Sequence, residues 1–345
     1  MKALKFGIIV MACACLVSVV FSGCYSYDNS AISYVYYSEE GYTIGGNITS
    51  DALITEAEIS WKVGDVIINV GDTFAGEESG TELKEDQKMR WKVENGKLTV
   101  HFWRHSYVDI ISHEEKVLTL TLPKNIKLNV TSVVSDVVIK QDIDVEEINC
   151  ETTSGSVKCK GIISKEDVTL KTTSGAVIAG DINAANVTLK STSGKVETGN
   201  VTAEKFAAKS TSGKVVAKQL SARSIKMTST SGGIRCDKID GKDVVLSNTS
   251  GEIKVDEIIS SSNVEIESVS GDIEVGLNDC KETTIDTSSG QINIKLIGGY
   301  TLKLGTGSGK FESELTCTQS GGRYVFGDGA NEVSVTTSSG DVIIA

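Results

Sequence analysis

Three histidines, His101, His105 and His113, are the only imidazoles in the chain of 345 residues. His101 and His105 share one face of a strand with Trp103, too far apart to hold one metal ion comfortably, and no third ligand stands near them in the sequence. Cys24, Cys150, Cys159, Cys236, Cys280 and Cys317 contain no Cys-x-x-Cys pair. Cys150, Cys159 and Cys236 fall in apolar columns, where a thiol packs as a small hydrophobe. A Cys150–Cys159 disulfide across one corner and buried free thiols both remain open. A serine nucleophile needs a base, and nothing after His113 supplies an imidazole. Outward positions mix Lys, Glu, Asp and Ser from coil to coil, without an acidic or arginine cluster at one height. The sequence therefore names no catalytic, metal or cofactor residue, and a non-enzymatic protein is expected. A formal charge of −12 argues against nucleic acid as a partner, because phosphates require a basic face.

The residues that do recur are those of a turn. Ser-Gly stands at Gly155, Gly175, Gly194, Gly213, Gly232, Gly251, Gly271, Gly290 and Gly309 in steps of 19 or 20, and once more at Gly340. Ser135-Asp136 is a degenerate copy one step before Gly155. Seven before the glycine stand Ile148, Val168, Val187, Phe206, Ile225, Val244 and Val264; two after it stand Val157, Val177, Val196, Val215, Ile234, Ile253 and Ile273. Intervening positions are charged or small, as at Lys171, Lys190, Lys209, Glu252 and Asp272. Alternation on both sides of a tight corner is strand, turn, strand.

One such unit cannot bury its apolar side alone, but stacked units form a continuous core. The expected fold is all-β: a parallel β-solenoid of about ten coils of 19–20 residues with a β-rich N-terminal cap. The glycines are assigned a turn conformation that a Cβ disfavours. Three before each stands a small inward polar residue, from Thr152, Thr172 and Ser191 to Thr306, read as a self-satisfying ladder of hydroxyls. The exposed Thr column, including Thr173 and Thr192, sits at this corner beside charged neighbours, which disfavours ice binding.

The rest of the chain divides readily. Lys2 and Lys5 precede an apolar run that ends in Phe21-Ser22-Gly23-Cys24, similar to a bacterial lipoprotein signal with Phe21 in the usual Leu position. The expected organisation is a signal peptide over 1–23, a tether over 24–41, a cap over 42–130 and the solenoid over 131–345. Cys24 is the expected lipid attachment point, which places the protein in the cell envelope with the membrane as one partner. "EISWKVGDVIINV" reads as an irregular first rung around Gly64, and "MRWKVENGKLTVHFW" as a hairpin turning at Asn95-Gly96. "VLTLTLPKNIKLNV" reads as two strands broken at Pro123, and 311–335 as an inserted hairpin before a last half-coil.

Trp61 to Val66, "VENGKLTV", "LTLTLP", the T-S-G corners and the end "FGDGANEVSVTTSSGDVII" together resemble a bacterial β-strand-repeat family named "putative adhesin", of unknown function. The resemblance runs from about Ile59 to Ala345 and implies a surface binding module without catalytic residues. A glycan or protein surface is the ligand class it implies. The competing expectation is an envelope scaffold that associates with membrane partners or with itself.

Overall fold

A computed structural model describes residues 40–50, 52–80, 83–102 and 116–345. All described residues belong to one compact unit within Ser38–Ala345. The signal segment, Cys24, Trp103, His105 and His113 lie outside the described residues.

Among the described residues the unit is almost entirely strand, with one short 3-10 turn at Glu85–Gln87 and no α-helix. Each regular coil contributes to three parallel stacks. The first runs through Lys127–Ser132, Glu147–Thr152, Asp167–Thr172 and Asn186–Ser191, each paired in register with the next. The second runs through Val137–Ile139, Val157–Cys159, Val177–Ala179 and Val196–Thr198. The third runs through Ile143–Val145, Ile162–Ser164 and Ile182–Asn183. Later coils fuse these segments into long bent strands, Val215–Ser229, Ile234–Asn248 and Ile253–Ser268. The predicted parallel β-solenoid is the observed fold. Its core is a single cluster of stacked Ile, Val, Leu and Cys from Ile48 to Ile344, produced by the alternation in the sequence.

The corner chemistry differs from expectation. Of the ten repeat glycines only Gly290 has a positive φ, +121°. The reason for glycine is instead proximity between coils. A Cβ on any of the ten would fall 1.7–2.5 Å from the carbonyl oxygen of the corner residue in the adjacent rung. That oxygen is backbone and cannot swing away, so these ten positions exclude every side chain. The hydroxyl ladder is also different in kind. Ser191 Oγ donates to Gly175 O at 2.8 Å and accepts from Gly194 N at 2.9 Å. Ser210 repeats this with Gly194 O and Gly213 N, both at 2.9 Å. Thr172 and Ser229 do the same, so in these four coils the hydroxyl joins its own glycine N–H to the previous glycine carbonyl and satisfies buried polar groups on two rungs at once, whereas Ser268 and Thr306 donate within their own corners.

The ends do not follow chain order. Glu56–Ser60 lies between Lys97–His101 and Lys127–Ser132, parallel to both. The rung around Gly64 is therefore second in the stack, not first; the outermost rung is made later in the chain, from Lys97–His101 and Val117–Leu122. The opposite end repeats the device. Asn331–Thr337 lies between Glu282–Thr287 and Tyr300–Thr306. Accordingly the glycine column runs Gly290, Gly340, Gly309 in space. Antiparallel strands then cover both edges: Arg90–Glu94 and Ala75–Ser79 at one end, Arg323–Phe326 and Thr318–Ser320 at the other. Where they pair, at the far end over Tyr300–Leu302, these strands take up the free N–H and C=O groups that a parallel stack would otherwise present. The Asn95-Gly96 turn is as predicted, with both residues at positive φ, 52° and 77°.

Candidate functional site

The chemistry-bearing side chains are mostly inside. Burial pushes the Cys159 and Cys236 thiols up to about 12 and Cys280 to about 11, and raises Cys150 well above the ordinary range. All four are free, buried and protonated, so none is a poised nucleophile. His101 is drawn below its usual value by burial, and its Nε2 lies 3.1 Å from the Tyr42 hydroxyl. No group of three or more potential metal ligands gathers among the described residues.

The cap holds one charged group that the sequence reading missed. Lys116 occupies the glycine-column position of the outermost rung, and its carbonyl closes on Gly64. Its Nζ pairs with Glu78 Oε1 at 2.5 Å and donates to Gln87 O at 2.8 Å and Phe102 O at 2.7 Å. It also sits 3.9 Å from the Phe102 ring centroid and 4.9 Å from that of Trp61. Burial lowers the lysine to about 8, against the opposing pull of Glu78. Glu78 in turn accepts from Met89 N, so one ion pair ties the antiparallel cover to the outermost rung. A lysine reads as surface in any local pattern, and only its tertiary partners mark it as buried.

The outer side of the first stack carries the clearest pattern. The position four before each corner glycine points outward, and register places these residues in one column. In order they are Glu151, Lys171, Lys190, Lys209, Thr228, Ser247, Glu267, Asp286 and Thr336. The expectation of charges mixed from coil to coil does not hold here: lysines occupy three successive rungs and acids two. Several other rungs match charges with a neighbour, as in Lys158–Asp136 at 2.7 Å, Lys254–Glu274 at 2.6 Å and Lys238–Glu257 at 2.8 Å. Lys171 likewise meets Glu151 at 2.8 Å. Lys190, Lys209, Glu267 and Asp286, all exposed, have no ion-pair partner among the described residues.

These features define a parallel β-solenoid with closed, clamped ends, a buried set of reactive groups and a charge-segregated outer face. The family model described as Toastrack DUF4097 matches residues 54–218 and 166–345. The chain belongs to this family, in agreement with the resemblance read from its corners. No curated protein matches the sequence. A solved structure from Clostridium sporogenes, described as a "putative cell adhesion protein", aligns over 88% of this chain and 96% of its own at 10% identity. Its TM-score is 0.17, too low to carry an argument.

Proposed function

We propose that the protein is a non-enzymatic binding module of the bacterial cell envelope. It is held to a membrane through a lipid on Cys24 and presents the solenoid to a glycan or protein surface. The observation that carries this reading is the outer register: the same positions face outward in coil after coil at the inter-strand spacing of about 4.8 Å. Such a ladder suits many weak contacts with a repetitive partner, whose avidity grows with the number engaged. The inward placement of the thiols and of Lys116 is consistent with it, because these groups are kept from solvent. Phe21-Ser22-Gly23-Cys24 supports the anchor.

The test is saturable binding of the unit from Ser38 onward to a broad glycan array and to intact bacterial envelopes. Saturation on a glycan or foreign surface supports the module. Absence of binding to both overturns it. The alternative, a scaffold that associates with itself, is favoured by one specific feature, the segregated column of the first stack.

A further inference from the structure

The outer column four before the corner glycine reads Lys190, Lys209, Thr228, Ser247, Glu267, Asp286 over six consecutive rungs. Reversed, its charges are complementary to itself. Within one chain the arrangement is unfavourable, because like charges stand on directly neighbouring strands. Some other outer positions pair opposite charges between rungs, as at Lys158–Asp136, Lys238–Glu257 and Lys254–Glu274. The lysine pair and the acid pair are left unneutralised, and they are separated by two small polar side chains that permit close approach.

We propose that the first-stack faces of two copies of this chain pack against each other, antiparallel, about a two-fold axis running along the strands between the Thr228 and Ser247 rungs. That operation turns rung order over and keeps each column facing itself. Lys190 then meets Asp286 of the second copy, Lys209 meets Glu267, and Thr228 meets Ser247. Each pair occurs twice, as an isologous interface requires. Lys171 keeps its own Glu151 and faces Thr336.

The neighbouring columns fit the same axis. Lys226 comes opposite Val245, one rung from Glu265, and Ala207 lies across from Glu265. In the farthest column Lys205 faces Asn263, Asn186 faces Glu282 and Ser224 faces Asp243. Asp167 opposite Glu332 is the one like-charged meeting, at the margin. Overlap extends from the Glu147–Thr152 strand to the Tyr300–Thr306 strand. At about 4.8 Å per rung and roughly 18 Å of strand, ten rungs cover on the order of 800 Å² per copy, the size of a standard specific interface. The contact is polar, so its strength depends on charge and falls with salt.

This inference rests on the self-associating alternative and is independent of glycan binding, which the array reads separately. The experiment is sedimentation velocity on the unit from Ser38 onward, which contains the whole core, in low and high salt. The wild type is expected to dimerise, with dissociation favoured by salt. Lys209→Glu and Glu267→Lys each place like charges at two symmetric contacts and are expected to weaken the dimer about tenfold or more. The double variant K209E/E267K re-creates both contacts with signs exchanged and is expected to dimerise again. Circular dichroism melts confirm that each variant is folded. A monomeric wild type overturns the proposal, as does a double variant that stays as weak as the singles. Binding of the monomer to heparin through Lys190 and Lys209 also overturns it, in favour of an anionic polymer on this face.

Discussion

The regular coils and the two ends solve the same problem by different means. In the middle, identical rungs repeat, chain order equals stacking order, and the corner is kept bare so that backbones approach. Gly175, Gly194 and Gly213 each sit against the previous glycine carbonyl, with Thr172, Ser191 and Ser210 bridging their rungs. At the ends there is no next rung to satisfy. The chain there transposes two rungs, turns strands antiparallel, and at the N-terminal side places Lys116 where a glycine would stand. The middle is specified by what it omits, the ends by individual tertiary contacts.

The sharpest break should come from the end. Lys116→Ala leaves Glu78, 3% exposed, charged without its lysine, and is expected to cost about 3–5 kcal/mol. Replacing both partners by apolar residues, K116M with E78L, should recover most of that loss, since an ion pair in such a site contributes little over good packing. Urea midpoints measure both. Full recovery by K116M alone would contradict the pairing.

Next is the corner. Gly194→Ala forces a Cβ to within 1.9 Å of the Gly175 oxygen and is expected to cost about 3 kcal/mol or more. Gly321→Ala, in the hairpin covering the far edge, has open space around its Cβ but φ of +58°. It should cost only about 1 kcal/mol of left-handed strain. Equal losses in equilibrium unfolding would refute the distinction between proximity and conformation.

The response to alkali has opposite signs in the two regions, and it is the smallest effect when read over the first half unit above about pH 9. From about pH 8 to 10.5 the unfolded chain still holds the Lys116 proton that the folded chain has released, so the cap gains stability as pH rises. The buried thiols of the coils behave conversely. An unfolded thiol titrates near 9.0, whereas folded Cys159 and Cys236 keep their protons to about 12 and Cys280 to about 11. Their contribution is complete below pH 9 and is lost as pH climbs from there toward 12, by up to about 1.4 kcal/mol per pH unit for each thiol. Stability should therefore fall above pH 9. Cys159→Ala with Cys236→Ala should flatten the fall in urea midpoints, and an unchanged slope would assign it elsewhere.

Much of the fold was legible because its period is local. The apolar alternation, the Ser-Gly corner and the Asn95-Gly96 turn each follow from a few adjacent residues. The transposed rungs were not legible, since alternation says that Asn331–Thr337 is a strand but not which strands flank it. The role of the glycines was misread for a related reason: the obstacle to a Cβ lies in another coil. The outer column was half visible. Lys171, Lys190, Lys209, Glu267 and Asp286 all stand at one offset from a corner glycine, but only the strand register shows that they stack as one outward column. Cys24 carries its reading on sequence alone.

The transposed end also sets an order of assembly. Tyr300–Thr306 leaves the ribosome before Asn331–Thr337, yet in the finished molecule it rests on that later strand and not on Glu282–Thr287. Growth by simple addition of each new coil to the last would seat Tyr300–Thr306 one position too early. Residues 298–330 must therefore wait, or be displaced, until Val333, Val335, Val342 and Ile344 take the place beneath them. Assembly at this end is therefore not simple addition in chain order, since the strand that seats Tyr300–Thr306 follows it in the chain.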